Sequence, residues 1–135
     1  MVIIFWQGII SIHQKAFLEA LALQPLVKKV VLAVEEEITP YRKNMGWEVP
    51  VINHVDIKIG LSARAVDNLV SEYKDAVHVM GGIRVGRMMA TAFDACVKLN
   101  CRLGVMTEPF NGAGIKGWLR SLKYNYFRKR YFRHI

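Results

Sequence analysis

The residues able to do chemistry in this chain sit at short breaks that follow apolar runs. Glu108, in Thr107-Glu108-Pro109, closes the run from Arg102 to Met106. A carboxylate at a strand end can accept hydrogen bonds from sugar hydroxyls or act as a base, so Glu108 is the candidate catalytic residue. Gly81-Gly82 close the run from Ala76 to Met80, with Arg84 and Arg87 just beyond. Two glycines at such a turn suit a ligand pressed against backbone amides, and the arginines suit a phosphate or carboxylate. Gly8 follows Val2-Ile3-Ile4-Phe5-Trp6, where it permits close backbone approach and the next helix offers N–H groups to an anion. His13 lies in the first turn of that helix, near the same edge. Each position also has a plainer reading: a turn glycine, a solvated arginine, a surface glutamate.

Other patterns are excluded. A dinucleotide fingerprint needs three glycines as G-x-G-x-x-G, and only Gly8 is present. Neither His13 nor His78 has a visible Ser or Cys partner, so no triad is read, and His78 falls inside an apolar run as a core or strand-face histidine. Glu35-Glu36-Glu37 reads as a solvated loop. Cys96 and Cys101 have no companion cysteine and no clustered His, which predicts two buried thiols, no disulfide framework and no metal site.

The elements that must position these residues follow from periodicity. Residues 2–6 are a continuous apolar run, and 30–34, 76–80 and 102–106 share its buried-strand character, the mark of a parallel sheet. Ser11 with Gln14 predicts a capping box ahead of a helix that Pro25 stops. Thr39-Pro40 predicts an N-cap with proline in the first turn, and Gly46 closes that short helix. Strand character is weaker around Val49–Ile52 and Val55–Ile59. Ser62 predicts a cap for a helix to about Tyr73, with Ala65, Val66, Leu69 and Val70 inward. A helix from about Arg84 to Leu99 carries Met88, Met89, Ala92, Phe93 and Cys96 inward. The order is β-α-β, an irregular section, then α-β-α-β-α. It predicts an α/β, Rossmann-like three-layer α/β/α fold with a parallel sheet in a single domain over residues 1–135, ending in a basic amphipathic helix.

Charge is concentrated in that last helix. The 135 residues carry a net charge of +8, yet Lys116 to Arg133 holds seven Lys and Arg with no Asp or Glu. Positions 1–114 hold twelve basic against eleven acidic residues, so the body is nearly neutral. At helical spacing Ile115, Trp118, Leu119, Leu122 and Tyr126 gather on one face, flanked by Lys116, Arg120 and Lys123. That predicts an interfacial helix over 115–126, with Lys116, Trp118, Leu119, Arg120, Leu122 and Lys123 on an anionic membrane. The alternatives are a helix packed inward on the domain and a nucleic-acid contact; the aromatics gather with aliphatics, which disfavours nucleic acid. The five-residue opening run is too short for a signal peptide, and no stretch reaches about 18 apolar residues, so a cytoplasmic chain peripheral to the inner face of the membrane is expected.

SIHQKAFLEALA after the first run, HVMGGIRVGRMMATAFDACVKLNCRLGVMTEPF, and GIKGWLRSLKYNYFRKRYFR together resemble the N-terminal, acceptor-side domain of family-4 (group 1) glycosyltransferases of the B-type fold. The resemblance implies sugar transfer from a nucleotide-sugar to a cell-envelope lipid or polysaccharide precursor. The donor is then a substrate and no cofactor is expected. It further implies a C-terminal donor-binding domain with paired glutamates, which this chain lacks, so the chain alone is expected to be an inactive, incomplete enzyme. Its partners would be a lipid-linked or saccharide acceptor, the membrane and the donor domain. Many relatives place a His at the end of the fifth strand, where this sequence has Thr107-Glu108. From a different class comes a stand-alone Rossmann-like module that docks on anionic membrane or nucleic acid without catalysis.

Overall fold

The computed structural model describes residues 1–106 and 114–131. Its elements run β1 (Val2–Ile9), a 3-10 turn (Ile12–Gln14), α1 (Lys15–Ala22), β2 (Lys29–Glu36), α2 (Pro40–Asn44), β3 (Val55–Ile59), α3 (Ala63–Glu72), β4 (Val77–Met80), α4 (Arg87–Lys98), β5 (Arg102–Val105) and α5 (Gly114–Tyr131). The five strands form one sheet in the order β3-β2-β1-β4-β5, every pair parallel. The fold is thus α/β and Rossmann-like, with helices on both faces.

Strand β1 sits at the centre and alternates its side chains between two cores. Ile4 and Trp6 join Val66, Val70, Ala92 and Phe93 beneath α3 and α4. Ile3 and Phe5 join Leu18 of α1 and Val30, Leu32 and Val34 of β2. Continuous apolar runs were required because both faces of these strands are covered. β3 differs: at the sheet edge it alternates as Val-Asp-Ile-Lys-Ile, and none of its residues is fully buried. Asp56 reaches across to Lys29 of β2 at 2.9 Å and to Lys58 at 3.5 Å. The hydrogen bond from Lys29 holds the Asp56 carboxyl below its ordinary range, against the opposing effect of burial.

Several caps form as the sequence dictates. Thr39 Oγ1 accepts from the Arg42 N–H at 3.4 Å and Ser62 Oγ from the Ala65 N–H at 3.2 Å. Met88, Met89, Ala92, Phe93 and Cys96 are all buried on α4. Three expectations are corrected. The Ser11–Gln14 capping box does not form: no side chain caps the turn, and the Gln14 N–H bonds instead to the Ser11 carbonyl at 3.1 Å. Residues 49–52 are not a strand. They run as a loop that sends Ile52 into the α1-side core, fixed where Asn53 donates twice to Glu19. Helix α4 begins at Arg87 rather than Arg84, because Gly82, Arg84 and Gly86 all take positive φ and turn the chain first.

The buried polar pair in the α3/α4-side core is Trp6 and His78. Trp6 Nε1–H donates to His78 Nδ1 at 3.2 Å, which leaves Nε2–H to donate to the Tyr73 carbonyl at 3.0 Å. Both contacts suit the neutral imidazole, and burial holds its pKa below the ordinary 6.5, with the Tyr73 carbonyl partly opposing. A depressed folded-state value means the unfolded chain takes the proton first. His78 therefore contributes stability in full above 6.5 and loses it as pH falls below. Ring-proton NMR should find the His78 titration midpoint below 6.5; a midpoint at or above 6.5 would contradict this environment.

Candidate functional site

In an open parallel sheet ligands bind beyond the carboxyl ends of the strands, where the strand order reverses direction. Here that point lies between β1 and β4. A cleft of about 610 Å³ opens there, and Gly8, His13 and Gly81 line it. Gly8 has no positive φ, and a Cβ built on it would meet nothing within 4 Å. The fold itself does not require glycine there; the missing side chain leaves open space in the cleft. Gly81 is held differently. Its N–H donates to the Trp6 carbonyl at 2.8 Å, and a Cβ would come within 3.3 Å of that oxygen.

Arg42 and Trp47, which sequence alone did not single out, also line the wall, as does Gln14, expected only as a cap partner. The positions of Arg42 and Trp47 follow from α2. Beyond its last turn Gly46 takes φ +79, the Gly46 N–H bonds to the Lys43 carbonyl at 2.9 Å and the Trp47 N–H to the Arg42 carbonyl at 3.1 Å. This is a Schellman motif, which sets residues five apart against each other. The Arg42 guanidinium lies over the Trp47 ring, 4.7 Å from its centroid, and His13 meets the same ring edge-on at 5.9 Å. Gln14 Oε1 is buried with no hydrogen-bond partner among the described residues. The spacing Arg42-x-x-x-Gly46-Trp47, placed after β2 at the carboxyl edge, was the available sequence signal.

Other expected site residues stand elsewhere. Gly82 is required by its turn: it has φ +143, and a Cβ would meet Val85 Cγ2 at 2.7 Å. Arg84 pairs with Asp94 of α4 and does not line the cleft. Glu108 lies outside the described residues. Glu35 is not in a solvated loop: it ends within β2 and accepts the Met88 N–H at 2.7 Å, so it caps α4 where Gly86 offers no side chain. That carboxylate occupies the helix N-terminus which an anion bound beside Gly81-Gly82 would have used.

Both cysteines are buried free thiols as expected, but a histidine does cluster with them. His78, Cys96 and Cys101 are buried together, with ligand atoms within 4.8 Å of one another. The cause is a second Schellman motif: Asn100 takes φ +53, its N–H bonds to Val97 at 3.2 Å, and the Cys101 N–H bonds to Cys96 at 2.9 Å. Burial pushes both thiols up, so they stay protonated, while both His78 nitrogens are engaged.

On α5 the described apolar residues face outward: Trp118 is 59% exposed, Leu119 54% and Leu122 48%. Only Gly117 is buried among the described side of this helix, and Tyr124 packs half-buried against the α3/α4-side core. The helix extends to Tyr131, past the expected end at 126. No helix among the described residues is long and apolar enough to cross a membrane.

No family model, curated protein or solved structure matches the chain.

The two glycines of opposite character give a direct test. Gly86 has φ +73, and a Cβ would lie 2.3 Å from Glu35 Oε1. Gly86→Ala should destabilise the fold by about 1–3 kcal/mol. Gly8→Ala should change it by no more than about 0.5 kcal/mol. Urea unfolding of the two variants checks both, and equal losses would mean that Gly8 is a structural glycine after all.

Proposed function

We propose that this chain is the acceptor-side domain of a glycosyltransferase that moves a sugar from a nucleotide-sugar to a cell-envelope lipid or polysaccharide precursor. In this reading α5 holds the domain on an anionic membrane, at the inner face, and a separate donor-binding domain completes the enzyme. The cleft at the switch point would receive the acceptor, with Glu108 as the candidate catalytic group. The sequence resemblance supports the activity. The observation that carries the membrane role is the uncovered apolar face of a helix dense in Lys and Arg. A shallow apolar face and a polybasic flank are two weak signals that together give reversible attachment.

A second reading has one observation in its favour. Among the described residues no Asp or Glu lines the cleft, so its walls offer binding groups and no carboxylate base. A stand-alone binding module would need nothing more. Labelled-sugar transfer separates the two, using membranes from cells that express the chain or its Glu108→Gln variant. Transfer into lipid or polysaccharide that the variant abolishes supports the enzyme; transfer unchanged by the variant removes Glu108 from the reaction. No transfer in the presence of a donor-binding domain supports the module.

Attachment is tested by sedimentation with vesicles. Each basic residue near an anionic surface contributes about 1 kcal/mol, so Lys116→Glu with Arg120→Glu and Lys123→Glu should lower binding at least about a hundredfold. Salt should weaken the parent's binding, because exposed charges are screened over about 8 Å at physiological ionic strength. Equal binding of variant and parent would remove α5 from the account.

A further inference from the structure

The wall of the cleft carries charge of one sign. Arg42 is its permanent cation, His13 stands beside it, and no carboxylate lines the cavity among the described residues. Among the described residues the ion pairs use Lys29, Lys58 or Arg84, and none reaches Arg42. The Arg42 guanidinium is instead laid over Trp47 at 4.7 Å. A guanidinium held over a ring face keeps the N–H groups at its own edge open to an acceptor, and the Schellman turn has already ordered it, so little is lost on binding.

A second, separate feature indicates what else the ligand carries. Gln14 lines the same wall, and among the described residues its Oε1, turned away from solvent, has no partner; an unsatisfied buried acceptor is costly, so turning the amide toward a ligand donor in the cleft is favoured. Gly8 leaves unfilled space between these groups and the strand ends. A cavity of about 610 Å³ falls in the size range of small-ligand sites and has room for one or two sugar rings.

We propose that the cleft selects a saccharide bearing an acid group, a sugar phosphate or a uronate, with Arg42 pairing to the acid and Gln14 Oε1 accepting from a ring hydroxyl. This rests on reading the cleft as the acceptor site, and it specifies that acceptor: the sugar to be extended is itself anionic. The proposed reaction is unchanged; the acid group is an anchor and takes no part in bond making. Arg84, which sequence spacing suggested for this role, is committed to Asp94.

Calorimetry on the full chain tests this with glucose 1-phosphate, glucuronate, glucose and inorganic phosphate as probes. Both acidic sugars should bind at least about tenfold more tightly than glucose, the scale of one charge-assisted hydrogen bond. Glucose 1-phosphate should also bind more tightly than inorganic phosphate. Arg42→Gln should reduce the acidic sugars to the level of glucose. Gln14→Leu should weaken glucose 1-phosphate several-fold and leave inorganic phosphate unchanged, which gives a readout should the Arg42 variant fold poorly. The parent's preference should persist when Lys116, Arg120 and Lys123 are all changed to Glu, because the α5 charges are not the site. Glucose binding as tightly as the acidic sugars, an undiminished preference in Arg42→Gln, or inorganic phosphate matching glucose 1-phosphate would each overturn the proposal. Absence of sugar transfer would leave this selectivity standing. Transfer onto a neutral acceptor without any acid preference would remove this inference alone.

Discussion

Strand β1 pairs in parallel with β2 along one edge and β4 along the other, and its first five residues after Met1 meet little water. Parallel neighbours on both sides oblige the chain to leave β1 over one face and to return to β4 by way of the other. Loops after β1, β2 and β4 then converge at one end of the sheet. The cleft follows from that constraint, since Gly8, near the end of β1, and Gly81, just past β4, belong to adjacent strands whose helices diverge. Trp6 shows how firmly the centre is fixed. It is fully buried, its indole N–H satisfies His78, and its carbonyl takes the Gly81 N–H at the floor of the site.

One local device appears twice with opposite results. The turns at the ends of α2 and α4 both close through a left-handed residue and bring together side chains five apart. After α2 that residue is Gly46, the segment is partly exposed, and the pair is Arg42 with Trp47 on a cleft wall. After α4 it is Asn100, the segment is buried, and the pair is Cys96 with Cys101 in the core. Backbone geometry supplies the juxtaposition; burial and residue type decide whether it can bind anything.

That distinction explains what was legible in the sequence. β1 and β2 were readable because strands covered on both faces must be continuously apolar, β4 and β5 because short, mostly apolar runs end at turn residues, and Thr39 and Ser62 because capping is local chemistry. β3 was harder, since an edge strand alternates polar with apolar. Arg84 pointed to an anion by spacing, but Asp94, ten residues on, lies within its reach once Gly86 redirects the chain. Gln14 read as a cap and became a wall of the cleft. Arg42, Trp47 and the meeting of His78 with two cysteines depend on contacts between segments, or on a turn whose left-handed residue has to be recognised first. Pattern alone does not give these.

The division of charge belongs to the same account. A nearly neutral body holds a cleft with one braced arginine, while the basic helix keeps its apolar side uncovered. The central claim is that small ligands enter at the β1–β4 switch point and do not simply collect on the cationic helix. Amide chemical-shift mapping of the labelled chain during titration with glucose 1-phosphate tests it most directly. Shifts concentrated at Gly8, Gln14, Arg42, Trp47 and Gly81 are expected. Shifts confined to Lys116, Arg120, Lys123 and Lys129 would contradict the claim.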